Sequence, residues 1–387
     1  LKEHILLGFS LEDRTIFKGI RRLKPGHLLK VTKKSIVEEV YFSMADFVSS
    51  LEKNDQTIDS CLKDSVKIHS ISDVKLGMML SGGVDSNLLL NHLNETNSVD
   101  DDFIAYNAGV ENKDEIREDE ESLLSERYIA KMMSDKMGID LVNIDIEPDS
   151  FVSIEKFVEI NEEPVCNPSG FLINEICQRA RLSSNKVLFS GHGGDELFAG
   201  YRRHVAAKII SDFRGIRWVF KLMPFTKNLP SEFFRLFYAF KNKNCQFFTL
   251  SSIGLQGLTK DGIFKEDFIT SQDVEKIANR FEQPAKNVKL SILKKTMLLE
   301  FNGYLGSQNL INMDKFSMAN SIEVRVPFLN LDLIKKGFST PDKTLIQSYK
   351  NKSILRQLAR KKLPKEVFKH KKSGFGPSLN KILRSDE

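Results

Sequence analysis

Cysteine is scarce: the 387 residues contain four, Cys61, Cys166, Cys177 and Cys245. They stand far apart, with no CxxC pair and no regular spacing, so neither a structural zinc site nor a disulfide framework is expected, and free thiols in a reducing compartment are. Long apolar runs are also missing. No stretch reaches membrane-spanning length, and a soluble, cytoplasmic protein without a membrane partner is expected. Charge of one sign is in short supply, with a net excess of only +5. The densest basic stretch, Lys361 to Lys372, is broken by Leu363, Pro364, Val367 and Phe368, so no nucleic-acid partner is expected. Leu1 to Ser10 lack the basic, apolar and small-residue order of a signal peptide. The chain opens on leucine rather than methionine, and further residues upstream are expected.

What is present is ordinary for a globular protein: 41% hydrophobic and 28% charged residues. At this length a single core stops growing, so two or three domains are expected. Residues 1–43 hold short β-like pieces, His27 to Val31 and Ile36 to Tyr41, separated by turn signals at Lys24-Pro25-Gly26 and Thr32-Lys33-Lys34; this region is too small for a core of its own. From Ile58 the apolar spacing becomes helical. An apolar run, Lys75 to Leu80, then ends in glycines. A helix (Ser86 to Leu93), a strand (Phe103 to Ala108), an acidic link from Glu111 to Glu121 read as a solvated loop, a helix (Leu123 to Met137) and a strand (Leu141 to Ile146) follow. Helices near Phe151 to Ile160 and Gly170 to Ala180 lead to another strand, Lys186 to Phe189, which again opens into glycines. This alternation predicts an α/β fold, a doubly wound, mostly parallel sheet. Residues 44–387 are expected to form the main domain, with 205–387 a largely helical C-terminal extension.

Two strands ending in glycine turns point to one shared site, because open α/β sheets bind ligands beyond the carboxyl ends of their strands. Leu80-Ser81-Gly82-Gly83-Val84-Asp85-Ser86 follows a strand and opens a helix, so small residues let the backbone approach an anion while N–H groups and hydroxyls donate to it. The Gly-Lys-Ser/Thr ending of the Walker loop is absent, which favours a pyrophosphate-releasing reaction over γ-phosphoryl transfer. A plain strand-to-helix turn with a serine cap is the alternative.

The SGGVDS loop resembles that of the ATP-pyrophosphatase family. Three further stretches narrow the resemblance to its asparagine synthetase branch. Ser190-Gly191-His192-Gly193-Gly194-Asp195-Glu196-Leu197-Phe198-Ala199-Gly200-Tyr201 looks like SGxGxDExFxGY, Ser317 to Leu329 is similar to MAxxxExRxPFL, and Lys371-Lys372-Ser373-Gly374-Phe375-Gly376 resembles the segment that carries a catalytic lysine. Asp13 to Ile20 with Pro25-Gly26-His27 look like the tail of the glutaminase domain that precedes the synthetase domain in this family. The resemblance implies an adenine nucleotide α-hydrolase-like fold, and ATP and Mg²⁺ as cofactors. It also implies adenylation of a carboxylate, aspartate first, and its amidation by ammonia from glutamine. The glutaminase domain stands upstream or on a partner, and a homodimer is among the assemblies expected.

Hard Mg²⁺ prefers carboxylate oxygens, so Asp85 and Asp195 are the metal candidates, helix N-capping being the alternative for each. Ser81, Gly82, Gly83, Asp85, Ser86, Ser190 and Gly191, with Leu80, are the nucleotide and pyrophosphate candidates, and Gly193, Gly194, Asp195, Glu196 and Tyr201 the substrate pocket. Lys315, Arg325 and Lys372 are the cations that developing negative charge requires. Lys371 leaves the register of Lys372 open, and Glu323 either orients Arg325 or forms a structural pair with it. His192 stands where the family commonly has a carboxylate. It accepts the proton of attacking ammonia, marks a different acceptor, or only shapes the turn. Glu162-Glu163-Pro164 with Asn167-Pro168-Ser169 resembles the family's acidic segment beside the pocket. The same chemistry on a uronic-acid sugar, a peptide side chain or a cyclising amino acid is the runner-up, and an inactive scaffold the remote third reading.

Overall fold

The computed structural model describes residues 1–51, 55–109, 118–145, 154–164, 167–216, 235–237, 239–240, 246–251 and 268–369. Most of the acidic link, the start of the helix expected near Phe151, Cys166, Cys245, and the Lys371-Lys372 segment lie outside the described residues. The chain forms two compact units, each assembled from three stretches: Leu1–Lys53, Asp195–Leu310 and Phe338–Ser353 in one, and Asn54–Gly194, Ile311–Gly337 and Ile354–Glu387 in the other.

In the first unit, β1 (His27–Val31) and β2 (Ile36–Val40) pair antiparallel as a hairpin, with His27 opposite Val40 and Val31 opposite Ile36. Every residue of the hairpin except His27 is exposed. Its other regular elements among the described residues are helices. Helices Arg202–Asp212, Gln246–Ser251 and Ile292–Glu300 pack together, and Phe248 meets Phe281 of helix Ser271–Glu282 edge-on at 6.1 Å. After Glu300 the chain continues as a π-helical stretch, Phe301–Asn309.

The second unit holds the sheet. β3 (Leu76–Met79), β4 (Ile104–Gly109), β5 (Asp140–Asp145), β6 (Val187–Phe189) and β7 (Glu323–Arg325) lie in the order β5-β4-β3-β6-β7, and every neighbouring pair is parallel. Buried Val, Leu, Met and Phe fill the central strands, as a sheet covered on both faces requires. Helix Ser169–Leu182 brings Phe171, Leu172, Ile173, Ile176, Cys177 and Ala180 to a core with Met79, Tyr106, Leu188 and Phe316. Phe157 stacks on Phe171 at 4.0 Å.

The α/β expectation is met. Within the largely helical 205–387 stands one element that the sequence did not signal: Glu323–Arg325 adds a fifth strand beside β6. Three residues are too few to show a period of two, and their pairing is supplied by β6 rather than by their own pattern. No helix among the described residues is long and apolar enough to cross a membrane.

Candidate active site

The strand order reverses between β3 and β6, with β4 and β5 lying to one side and β7 to the other. Such a switch point leaves a crevice at the carboxyl ends of the two strands, and the two glycine turns begin there. The first turn is held by side chains from within its own helix. Ser86 Oγ donates to Ser81 O at 3.0 Å and lies 3.0 Å from Ser81 Oγ, while Gly83 N donates to Ser81 Oγ at 3.2 Å. The fully buried Asn87 donates through Nδ2 to Ser81 O at 2.9 Å and Gly83 O at 2.8 Å. Helix Val84–Glu95 opens at Gly83 with no side-chain cap, so its first-turn N–H groups and the positive end of its dipole face the loop. Asn87→Ala would take one donor from each of two loop carbonyls, leaving Ser86 Oγ on both and Asn87 N on Gly83 O. It is expected to cost about 1–3 kcal/mol in denaturant unfolding.

The second turn is anchored by Ser190 N, which donates to Arg325 O at 2.9 Å. Ser190 Oγ lies 2.7 Å from His192 Nδ1. The two turns touch: a methyl group on Gly191 would come within 3.0 Å of Ser86 N, and one on Gly194 within 2.8 Å of Asp85 Oδ1. Gly193 has φ +95°, the left-handed region that disfavours a side chain. Ser81, Gly82, Gly83, Asp85, Ser86, Ser190, Gly191, His192, Gly193 and Gly194 therefore belong to one arrangement.

Other predicted residues are placed differently. Arg325 Nε pairs with Glu323 Oε1 at 2.6 Å, and its Nη1 donates to His69 O at 2.6 Å and Ile71 O at 2.8 Å, so this guanidinium ties β7 to the end of helix Ile58–His69. Lys315 Nζ pairs with Glu162 Oε2 at 2.9 Å and holds the Glu162 carboxyl below its ordinary range. That contact brings two of the sequence motifs together.

In the first unit, Asp195 Oδ1 lies 2.7 Å from Lys352 Nζ, and both side chains are largely buried. Tyr201 OH donates to Glu196 Oε1 at 2.6 Å. The Arg203 guanidinium stacks over the Tyr201 and Tyr304 rings at 4.3 Å and 4.9 Å and pairs with the fully buried Glu300 at 2.6 Å. Burial, with the charge of Asp195, pushes the Glu196 carboxyl from 4.5 up to about 7. The native state thus keeps a proton that the unfolded chain releases. The linked stability is complete below about pH 4.5 and is lost as pH rises through about 7. Burial and Arg203 hold His204 down at about 3, which gives a slope of opposite sign below pH 6.5. Glu196→Gln is expected to remove the decline between about pH 4.5 and 7, read as the difference between variant and parent melting curves.

Residues 57–387 match the family model described as asparagine synthase. The chain belongs to the asparagine synthase family. It is 22% identical over its whole length to asparagine synthetase [glutamine-hydrolyzing] 1 of Bacillus subtilis, covering 60% of that protein. It is 25% identical to a putative asparagine synthetase [glutamine-hydrolyzing] of Mycobacterium bovis, covering all of this chain and 59% of that one. Over 96% of its length it is also 25% identical to amidase chyE of Penicillium rubens, covering 60% of that protein. The chain thus spans about three-fifths of the length of these asparagine synthase relatives.

Sequence reasoning passed over Asn87, Asn107 and Lys352. Asn107, buried on β4, donates to Leu80 O at 2.7 Å and pins the start of the first turn. An asparagine inside a run as apolar as Phe103 to Ala108 was a usable signal, because a buried amide needs partners. Lys352 carried none: it lies among other lysines and shares no motif with Asp195.

Proposed function

We propose that this member of the asparagine synthase family adenylates a carboxylate with ATP, releasing pyrophosphate, and amidates the acyl-adenylate with ammonia, aspartate being the first substrate and asparagine the product. The observation that carries this reading is the contact of two glycine turns at the switch point, with the Asp85 carboxylate lodged against Gly194. The turn at Ser81 to Ser86 offers N–H groups and hydroxyls to phosphate oxygens but no lysine, which suits release of pyrophosphate.

Asp85 and Asp195 are the proposed Mg²⁺ ligands. Each carboxylate lies against a glycine where a Cβ would collide, Asp85 at Gly194 and Asp195 at Gly200. Mg²⁺ is usually held by one or two carboxylates together with substrate phosphates. A Mg²⁺ ion held by Asp85 and Asp195 would supply neutralisation of the nucleotide's phosphate charge. Lys372 is proposed as the cation facing the departing pyrophosphate. Lys315 positions the Glu162 segment beside the acceptor, and Arg325 with Glu323 fixes β7, whose Arg325 O accepts from Ser190 N. His192, its ring set by Ser190, is proposed to take the proton from the attacking amine. Glu196 follows Asp195 in the chain and accepts from Tyr201 OH, which holds the start of helix Gly194–Leu197.

Ammonia is proposed to come from a glutaminase domain. A second reading keeps the chemistry and changes the acid. It is favoured by histidine in place of the usual carboxylate at position 192, and by an identity to a protein named as an amidase equal to that to a putative asparagine synthetase. Pyrophosphate release with Mg²⁺-ATP and ammonia, measured over aspartate, glucuronate-type sugars and acidic peptides, separates the two. Release with aspartate, with asparagine and AMP formed, is expected; release only with another acid selects the second reading, and silence across the panel contradicts both.

A further inference from the structure

The pairing of Asp195 with Lys352 is built with unusual care. The Lys352 side chain is 5% exposed and that of Asp195 15%, so two opposite charges are held largely out of water. Such a pair is maintained only where the geometry is well supported. Here the support comes from a strained loop. Ser348, Tyr349 and Lys352 all have positive φ, at 48°, 58° and 52°, and each such residue costs on the order of 1–3 kcal/mol. The loop is closed on itself by Gln347 N donating to Ser353 Oγ at 3.0 Å and by Ser353 Oγ donating to Lys350 O at 2.7 Å. It is tied to the turn after Asp195 by Asn351 Nδ2 donating to Gly200 O and by Lys352 N donating to Ala199 O at 3.3 Å. Glycine at 200 is required by this crowding: a Cβ there would lie 1.8 Å from Asp195 Oδ1 and 2.7 Å from Lys352 Cε. Strain, glycine and hydrogen bonds all serve to hold one ammonium against one carboxylate.

We propose that Lys352 and a divalent metal ion compete for the Asp195 carboxylate, so that metal binding at Asp195 is an exchange of one cation for another. This rests on the reading of Asp195 as a metal ligand. A carboxylate oxygen already 2.7 Å from a buried ammonium has its charge countered, and a metal ion gains it only by displacing that ammonium. Lys352 is thus a positioning residue: it holds Asp195 in place, and it sets how tightly the metal is taken up. The exchange makes metal uptake weaker in proportion to how completely the lysine holds the carboxylate.

The test is Mn²⁺ binding to the full chain at a fixed concentration of a non-hydrolysable ATP analogue, followed by the electron paramagnetic resonance signal of free Mn²⁺ against the same mixture without protein. Lys352→Met is expected to bind Mn²⁺ about tenfold more tightly than the parent or better, and Asp195→Asn is expected to abolish the gain. Equal or weaker binding by folded Lys352→Met, checked by circular dichroism, overturns the exchange. Unchanged Mn²⁺ affinity on Asp195→Asn in both backgrounds removes the metal role of Asp195 itself, and the exchange with it. Should Lys352→Met not fold, the parent protein decides: Mg²⁺ is expected to increase acetylation of Lys352 by an amine-directed reagent, read by mass spectrometry. Labelling that Mg²⁺ leaves unchanged overturns the exchange.

Discussion

Replacing Asp85 by alanine is expected to lower carboxylate-dependent pyrophosphate release by a factor on the order of 10³, the scale at which loss of one preorganised electrostatic partner is felt. The Asp85 carboxylate sits where the two glycine turns meet, and nothing else in the SGGVDS loop carries negative charge to hold a cation against phosphates. Asp195→Ala is expected to have an effect of similar size, with a complication that Asp85→Ala does not share: it leaves the Lys352 ammonium buried without its carboxylate. Asp195→Asn keeps the volume and hydrogen bonding and is the cleaner variant. Denaturant unfolding of each variant separates loss of chemistry from loss of fold. Activity within tenfold of the parent in folded Asp85→Ala would remove the metal assignment.

Arg203→Met is expected to be the most destabilising of the single substitutions considered, by about 3–5 kcal/mol, because it leaves Glu300 as an uncompensated buried charge. Glu300 is fully buried, paired with Arg203 at 2.6 Å and accepting from Ser251 Oγ at 2.6 Å. The methionine keeps much of the aliphatic contact with the Tyr201 and Tyr304 rings, so the loss reports the charge rather than the packing. At roughly 2–4 °C per kcal/mol for units of this size, the melting temperature is expected to fall by roughly 10 °C. Adding Glu300→Gln should restore part of it, since the second change removes the orphaned charge. A loss under about 1 kcal/mol would mean that water reaches Glu300.

The parallel sheet was legible because each of its first four strands is an apolar run that stops at a turn or glycine signal, and the intervening helices repeat every three to four residues. The first glycine turn was legible for the same local reason: Ser81 to Ser86 sits between a strand and a helix, and its chemistry is contained in six consecutive residues. What escaped is non-local. β7 is a strand only because β6 offers it an edge. Arg325 was read in the sequence as a cation with Glu323 beside it, but the carbonyls of His69 and Ile71, more than 250 residues earlier, also take up its donors. Lys352 reaches Asp195 across 157 positions, a separation over which no periodicity or spacing speaks. The same holds for the division of the chain into two units, each gathering stretches that local pattern cannot assign to one another.

Labelling the acid substrate with ¹⁸O in its carboxylate tests the proposed chemistry most directly. If the carboxylate oxygen attacks the α-phosphorus and ammonia then displaces AMP, one labelled oxygen leaves the acid and appears in AMP, which mass spectrometry reads. AMP carrying one ¹⁸O for each amide formed is the expected result. Label in inorganic phosphate, accompanied by ADP, would place the attack at the γ-phosphorus and contradict the account.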